Sequence, residues 1–351
     1  MMLFGVRLKL KARTIVGRWM VVETKYEGDG LEGQALWYTG KAKAELRPVA
    51  LPDPGPDEAL VLTLWSGISR GTERLVYEGR VPPSEYERMK APFQEGDFPY
   101  PVKYGYCAVG IIEQGPKDWL GIPVFSLQPH QTHFVAPIDR LVPVPDGLPL
   151  RRAALAANME TALNALWDSG AGPGDRIVVI GAGLVGLLVA YLATRLPGAE
   201  VIVVDVEPQR AALVTAIGAE FRTSGALAGD ADVVFHASAT ADGLATAIDA
   251  AGLEGTIVEL SWYGDKPVMA PLGGSFHSRR LKLISSQVGH VAPARRPRWT
   301  YERRLAKALD LLRDDVIDRF ITGEVAFATL PQDLAGIFNP SAHALATVVR
   351  Y

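Results

Sequence analysis

Residues 176–186 read RIVVIGAGLVG, an apolar run that ends in Gly181, Gly183 and Gly186 at the spacing G-x-G-x-x-G. At a strand-to-helix turn each glycine has a physical task. Gly181 permits the tight turn, Gly183 carries no side chain that would obstruct a diphosphate, and Gly186 lets the helix pack closely on the strand. Leu184 and Val185 then open the apolar helix LVGLLVAYLATRL, whose first backbone N–H groups point at the diphosphate. The spacing alone is a weak signal, but a second apolar strand, VIVVD, ends in Asp205 about 20 residues beyond the loop, as a dinucleotide fingerprint requires. A carboxylate there accepts hydrogen bonds from ribose hydroxyls and repels a 2′-phosphate, so NAD is the expected cofactor in preference to NADP. Arg210 is close in sequence, but it sits in the helical stretch PQRAALV and reads as a solvated surface charge.

Other residues capable of chemistry are few. His130 and His133 form H-x-x-H in QPHQTHF, which reads as loop and strand with no third ligand nearby. They are expected to be surface or substrate-loop histidines, and no metal site is expected. Cys107 is the single cysteine, which rules out a disulfide within the chain and any cysteine-rich zinc cluster, and fits a reducing cytoplasm. A net charge of −3 gives no basic field for nucleic acid. No apolar run reaches the ~18–20 residues of a bilayer span, so neither nucleic acid nor membrane is an expected partner.

Positioning these residues takes two domains, because 351 residues exceed the ~250–300 at which one core stops growing. From about Gln34 to Leu150 the chain alternates short strands with turns rich in Gly and Pro, as a β-rich, barrel-like domain would. At Arg151 the texture changes to a helix, RRAALAANMETALNALWDSG, and then to strand and helix in alternation, which predicts a parallel sheet with helical crossovers. The expected division is 34–157 with 305–351 as the β-rich domain and 158–304 as the nucleotide-binding domain. Residues 1–33 read as a leader. Arg7, Lys9, Lys11, Arg13 and Arg18 interrupt its apolar residues, so it is no secretory signal, and Val6, Leu8, Leu10 and Ala12 alternate as in a strand. An extra strand and an appended leader both fit it.

In its order of elements the chain, from Gln34 to Tyr351, resembles the medium-chain dehydrogenase/reductase superfamily. That resemblance implies an α/β fold: a GroES-like catalytic domain, an inserted Rossmann domain with a doubly wound parallel sheet, and a C-terminal return. The zinc alcohol dehydrogenases of that group carry a metal-binding cysteine before a G-T/S-D/H stretch and a histidine in G-H-E. Here SGISRGTE places Ser69 or Arg70 at the cysteine, GYCAVG places Tyr106 at the histidine, and the third ligand position falls near Ala157. The resemblance is thus to a branch that lacks zinc, and GISRGTE followed by LVYEGRVP is similar to the zinc-free dehydrogenases that oxidise the 3-hydroxyethyl group of a bacteriochlorophyllide.

By the same resemblance, Thr72 hydrogen-bonds the substrate oxygen and Thr161 touches the nicotinamide. Tyr106 either donates to the reacting oxygen or fills the vacated metal space, and Glu73 either orients Thr72 or closes a salt bridge. Ser69, Lys103, Glu160, Trp262, Tyr263 and His277 are the expected substrate-pocket residues, with Glu160 at the mouth of the cofactor cleft. The implied function is zinc-independent, NAD-linked interconversion of a secondary alcohol and a ketone in a small-molecule substrate. The alternatives are a zinc-free quinone or enone reductase and a catalytically silent NAD sensor. A homodimer through the Rossmann domain is a further implication.

Overall fold

The computed structural model describes residues 10–16, 19–24, 31–223 and 227–351. Two compact units divide the chain: residues 1–154, 323–342 and 347–351 form one, and residues 155–322 and 343–346 form the other.

The first unit is built from antiparallel pairs. Its central strand, Glu58–Ile68, pairs with Ala108–Gln114, with His133–Pro137 and with the C-terminal strand Ala346–Arg350. A four-stranded sheet forms beside it around Leu31–Gly40 and Lys43–Leu51. Inward residues such as Val61, Ala108, Ile112 and Phe134 make the core. The chain crosses itself closely where a side chain would not fit: a Cβ on Gly110 would lie 2.2 Å from the carbonyl oxygen of Leu62. Ahead of these sheets Leu10–Val16 and Trp19–Thr24 pair antiparallel, so part of the leader is a hairpin; Val6 and Leu8 lie outside the described residues. The first long strand opens at Leu31, three residues before the expected start.

The second unit holds a six-stranded parallel sheet in the order 220–222, 200–204, 176–180, 231–236, 251–259, 282–285. Strands buried on both faces by crossover helices must be apolar throughout, which explains the runs RIVVI and VIVV. Numbered along the chain this order is 3-2-1-4-5-6, the doubly wound arrangement. The fold is therefore α/β, a GroES-like β-rich unit and a Rossmann unit. Among the described residues no helix is long and apolar enough to cross a membrane.

The return to the first unit comes at Gly323 and not at residue 305. A buried ion pair explains the difference. Arg304, on the helix Tyr301–Leu311, donates from Nε to Glu160 Oε1 (2.9 Å) and from Nη1 to Asn164 Oδ1 (2.6 Å), with Val288 and His290 carbonyls taking further donors. Both acceptor side chains belong to the helix Ala156–Ser169, so Tyr301–Leu311 is fastened inside the Rossmann unit. Removing one partner strands a charge in the interior. Arg304→Met is expected to lower unfolding free energy by about 3–5 kcal/mol, and Arg304→Met with Glu160→Leu to recover much of that, as measured by urea titration.

Candidate functional site

In the Rossmann unit the glycine turn has the geometry that the three positions demand. Gly181 sits at φ +105°, a conformation that other residues rarely adopt, and a Cβ there would meet Ser238 N at 2.8 Å. Gly186 backs directly onto the turn, since a Cβ on it would lie 1.9 Å from Gly181 O. Above Gly183, by contrast, no atom lies within 4 Å of where a Cβ would be. The helix Leu184–Ala193 follows at once, so the N–H groups of its first turn, at Leu184 and Val185, open toward that space. Asp205 directly follows the adjoining strand Glu200–Val204. Its Oδ2 accepts from Ala182 N (2.5 Å) and its Oδ1 from Glu207 N (2.8 Å), which ties the carboxylate to the glycine turn.

Other expected residues of this unit are placed as follows. Thr161 donates its hydroxyl to Ala157 O at 2.9 Å, within its own helix. Glu160 is buried against Arg304 and stands at no open mouth. Burial pushes its carboxyl up, opposed by Arg304. Trp262 is half-buried, Tyr263 donates to Glu259 Oε2 at 3.0 Å, and His277 is exposed after the turn Leu272–Phe276.

In the β-rich unit one buried carboxylate organises the cluster. Glu73 Oε1 accepts from Ser69 N (2.8 Å), and Oε2 accepts from Tyr38 Oη (3.0 Å) and pairs with His130 Nε2 (3.0 Å). Behind the imidazole, Nδ1 meets Ser66 Oγ at 2.7 Å, and Ser66 Oγ meets Tyr351 Oη at 3.0 Å. His130 lies in the loop between the strands Pro123–Ser126 and His133–Pro137 but is 1% exposed, so it is not a surface histidine; the strand Leu31–Gly40 is joined to it by the Leu36 N to His130 O bond. His133 lies apart, with Nδ1 3.2 Å from Thr132 Oγ1.

Glu73 thereby fixes the first turn of the helix Arg70–Tyr77, which carries Ser69 and Thr72. Those two hydroxyls hydrogen-bond the phenol of Tyr106, whose pKa burial drives well above its ordinary value. Ser69, Thr72 and Tyr106 thus converge, and Glu73 holds them without reaching their hydroxyls. Lys103 is buried and paired with Glu95 and Gln131, with 3.1 Å to Gln131 Oε1. Among the described residues no three His, Cys, Asp or Glu side chains gather as a metal would need. Sequence reasoning missed Tyr38 and His130 as partners of Glu73, and Ser66 and Tyr351 in the chain of bonds behind the imidazole. No local pattern marks them, since they lie 35, 57, 7 and 278 residues from Glu73.

No family model matches the chain. An uncharacterized zinc-type alcohol dehydrogenase-like protein of Haemophilus influenzae is 39% identical over 84 residues, 24% of each chain. D-guloside 3-dehydrogenase of Escherichia coli K12 is 26% identical over 212 residues, 55% of this chain and 59% of the relative. The chain thus matches less than two thirds of the length of these relatives. Among solved structures, L-idonate 5-dehydrogenase of Escherichia coli K-12 superposes with a TM-score of 0.75 at 16% identity, over 92% of this chain and 99% of that one. The chain shares its fold.

Glu73→Ala would leave Tyr38, Ser69 N and His130 without their acceptor. At about 1–3 kcal/mol for each buried group left unpaired, it should lower stability by about 3 kcal/mol or more in urea unfolding, with Glu73→Gln milder.

Proposed function

We propose that the chain is a medium-chain dehydrogenase/reductase that interconverts a secondary alcohol and a ketone with NAD(H) and without zinc. The observation that carries the reading is the glycine turn, with open space over Gly183 and the Asp205 carboxylate fastened beside it at the end of the next strand. A diphosphate fits where Gly183 presents no side chain, and Asp205 can exchange its bond to Ala182 N for ribose hydroxyls. Bound there, a nicotinamide dinucleotide would supply hydride-transfer chemistry at a carbinol or carbonyl carbon.

The chain's own part is to hold the reacting oxygen. Tyr106, with its pKa raised, stays protonated through neutral pH and so acts as a hydrogen-bond donor; it cannot serve as a base there. With Thr72 beside it, it offers a donor to the oxygen on which charge develops. Zinc does not fit these residues. The positions that resemble its ligands carry hydroxyls, a guanidinium and a methyl group, and His130 has both ring nitrogens engaged by Glu73 and Ser66. A sugar or polyol hydroxyl is the substrate class suggested by the relatives' names, and the hydroxyethyl group of a tetrapyrrole is the narrower one suggested by GISRGTE.

Deuterium transfer from 4-deuterated NADH to a ketone panel tests the reading. Tyr106→Phe and Thr72→Val should each cost roughly 10²–10³ in kcat with NADH affinity kept. Prior chelation should change nothing. Transfer only to conjugated carbons of enones would favour the reductase alternative, and transfer to no acceptor would favour the silent sensor. Because the Tyr106 phenol stays protonated, its ionisation should put no inflection into kcat between about pH 6 and about pH 9.

A further inference from the structure

A second buried histidine couple lies in the Rossmann unit, outside the residues used above. Strand Ala231–His236 ends in an imidazole that is fully buried, and strand Ala251–Glu259 ends beside it in a carboxylate. His236 Nδ1 lies 2.7 Å from Glu259 Oε2, and His236 Nε2 lies 2.7 Å from Ser238 Oγ. Glu259 also accepts from Tyr263 Oη (3.0 Å) and Ser261 N (2.8 Å). Burial raises its pKa, but the bonds from His236 and Ser261 outweigh that and hold the carboxyl below its usual range.

These partners dictate where the protons sit. An ionised Glu259 takes the hydrogen of His236 Nδ1, and in the neutral imidazole Nε2 is then an acceptor that takes the Ser238 hydroxyl proton. Thr240 Oγ1, 3.0 Å from Ser238 Oγ, is itself held as the N-cap acceptor of Gly243 N. With the Ser238 proton on His236, the Thr240 hydroxyl donates to Ser238 Oγ, which is left with one lone pair and no proton to offer. Two features hold it in place. Ala239 takes φ +54°, a strained conformation for a residue with a Cβ, and Gly243 leaves necessary room, since a Cβ there would lie 2.0 Å from Ser238 Oγ.

The position of this oxygen in the sheet selects its ligand. Ala237 N donates to Ile180 O at 2.8 Å, so the turn 237–239 lies against the glycine turn where the strand order reverses. Asp205 lies on one side of strand 176–180, and Ser238, His236 and Glu259 lie on the other. A dinucleotide held at the reversal extends its two ribosides to opposite sides, the adenosine toward Asp205 and the nicotinamide riboside toward Ser238. We propose that Ser238, its own proton committed to His236 with Glu259 behind, accepts a hydrogen bond from a nicotinamide-ribose hydroxyl of the bound dinucleotide. This rests on the dinucleotide reading above. His236 and Glu259 are positioning residues.

The test compares NADH with ADP, which lacks the nicotinamide riboside, by calorimetric titration of the full chain. Ser238→Ala should weaken NADH about tenfold and leave ADP within about twofold, whereas Asp205→Ala should weaken both. Glu259→Gln, which keeps its size, should weaken NADH at least about threefold with ADP unchanged, and decides the matter if Ser238→Ala does not fold. Unchanged NADH affinity, or an equal loss for NADH and ADP, would overturn the role of Ser238 and leave the dinucleotide site standing. A native chain that binds neither ligand would overturn both.

Discussion

Reversal of strand order beside Arg176–Ile180 is the constraint on which the Rossmann unit depends. Chain connections leave this strand and its neighbour Ala231–His236 on opposite sides of the sheet, so no crossover helix fills the space over their carboxyl ends. The sequence then furnishes that crevice with groups that need it. A turn at φ +105° can be made only with glycine, a helix must start within three residues of it, and Asp205 must directly follow the next strand to reach Ala182 N. Were the strands in simple order, the same glycines would make a turn with nothing to hold.

Buried carboxylates supply the second theme. Glu73, Glu160 and the partly buried Glu259 each lose hydration, and each is answered by fixed donors: Glu73 and Glu259 by a histidine, a phenol and a backbone amide, and Glu160 by an arginine. Such groups add little net stability over an apolar core, because desolvation offsets most of the attraction. What they contribute is geometry, since a buried carboxylate tolerates one arrangement of donors and penalises the rest. Glu73 uses this to set Ser69 and Thr72 against Tyr106, and Glu160 uses it to anchor the helix that carries Arg304.

How far the residues announce this differs with the range of the interaction. The glycine turn and Asp205 were readable because their requirements are local: each follows from backbone conformation within one strand-turn-helix unit and its neighbour. The alternation of strand and helix likewise made the parallel sheet readable. QPHQTHF shows His130 as a loop residue but not as a buried one, because its burial depends on the strand Leu31–Gly40, almost a hundred residues earlier. A boundary at residue 305 cuts the helix Tyr301–Leu311, because only the meeting of Arg304 with Glu160 and Asn164 decides which unit that helix joins. Glu160, for the same reason, could be named as a polar residue on its helix and not as half of an ion pair.

Equilibrium binding of NADH and NADPH to the native chain and to Asp205→Ala probes the central claim most directly. One NADH should bind per chain, and more tightly than NADPH, because the Asp205 carboxylate accepts from the ribose and repels a 2′-phosphate. Loss of that carboxylate should weaken NADH and narrow the difference. A native chain that binds neither cofactor, or that prefers NADPH with Asp205 in place, would contradict the account.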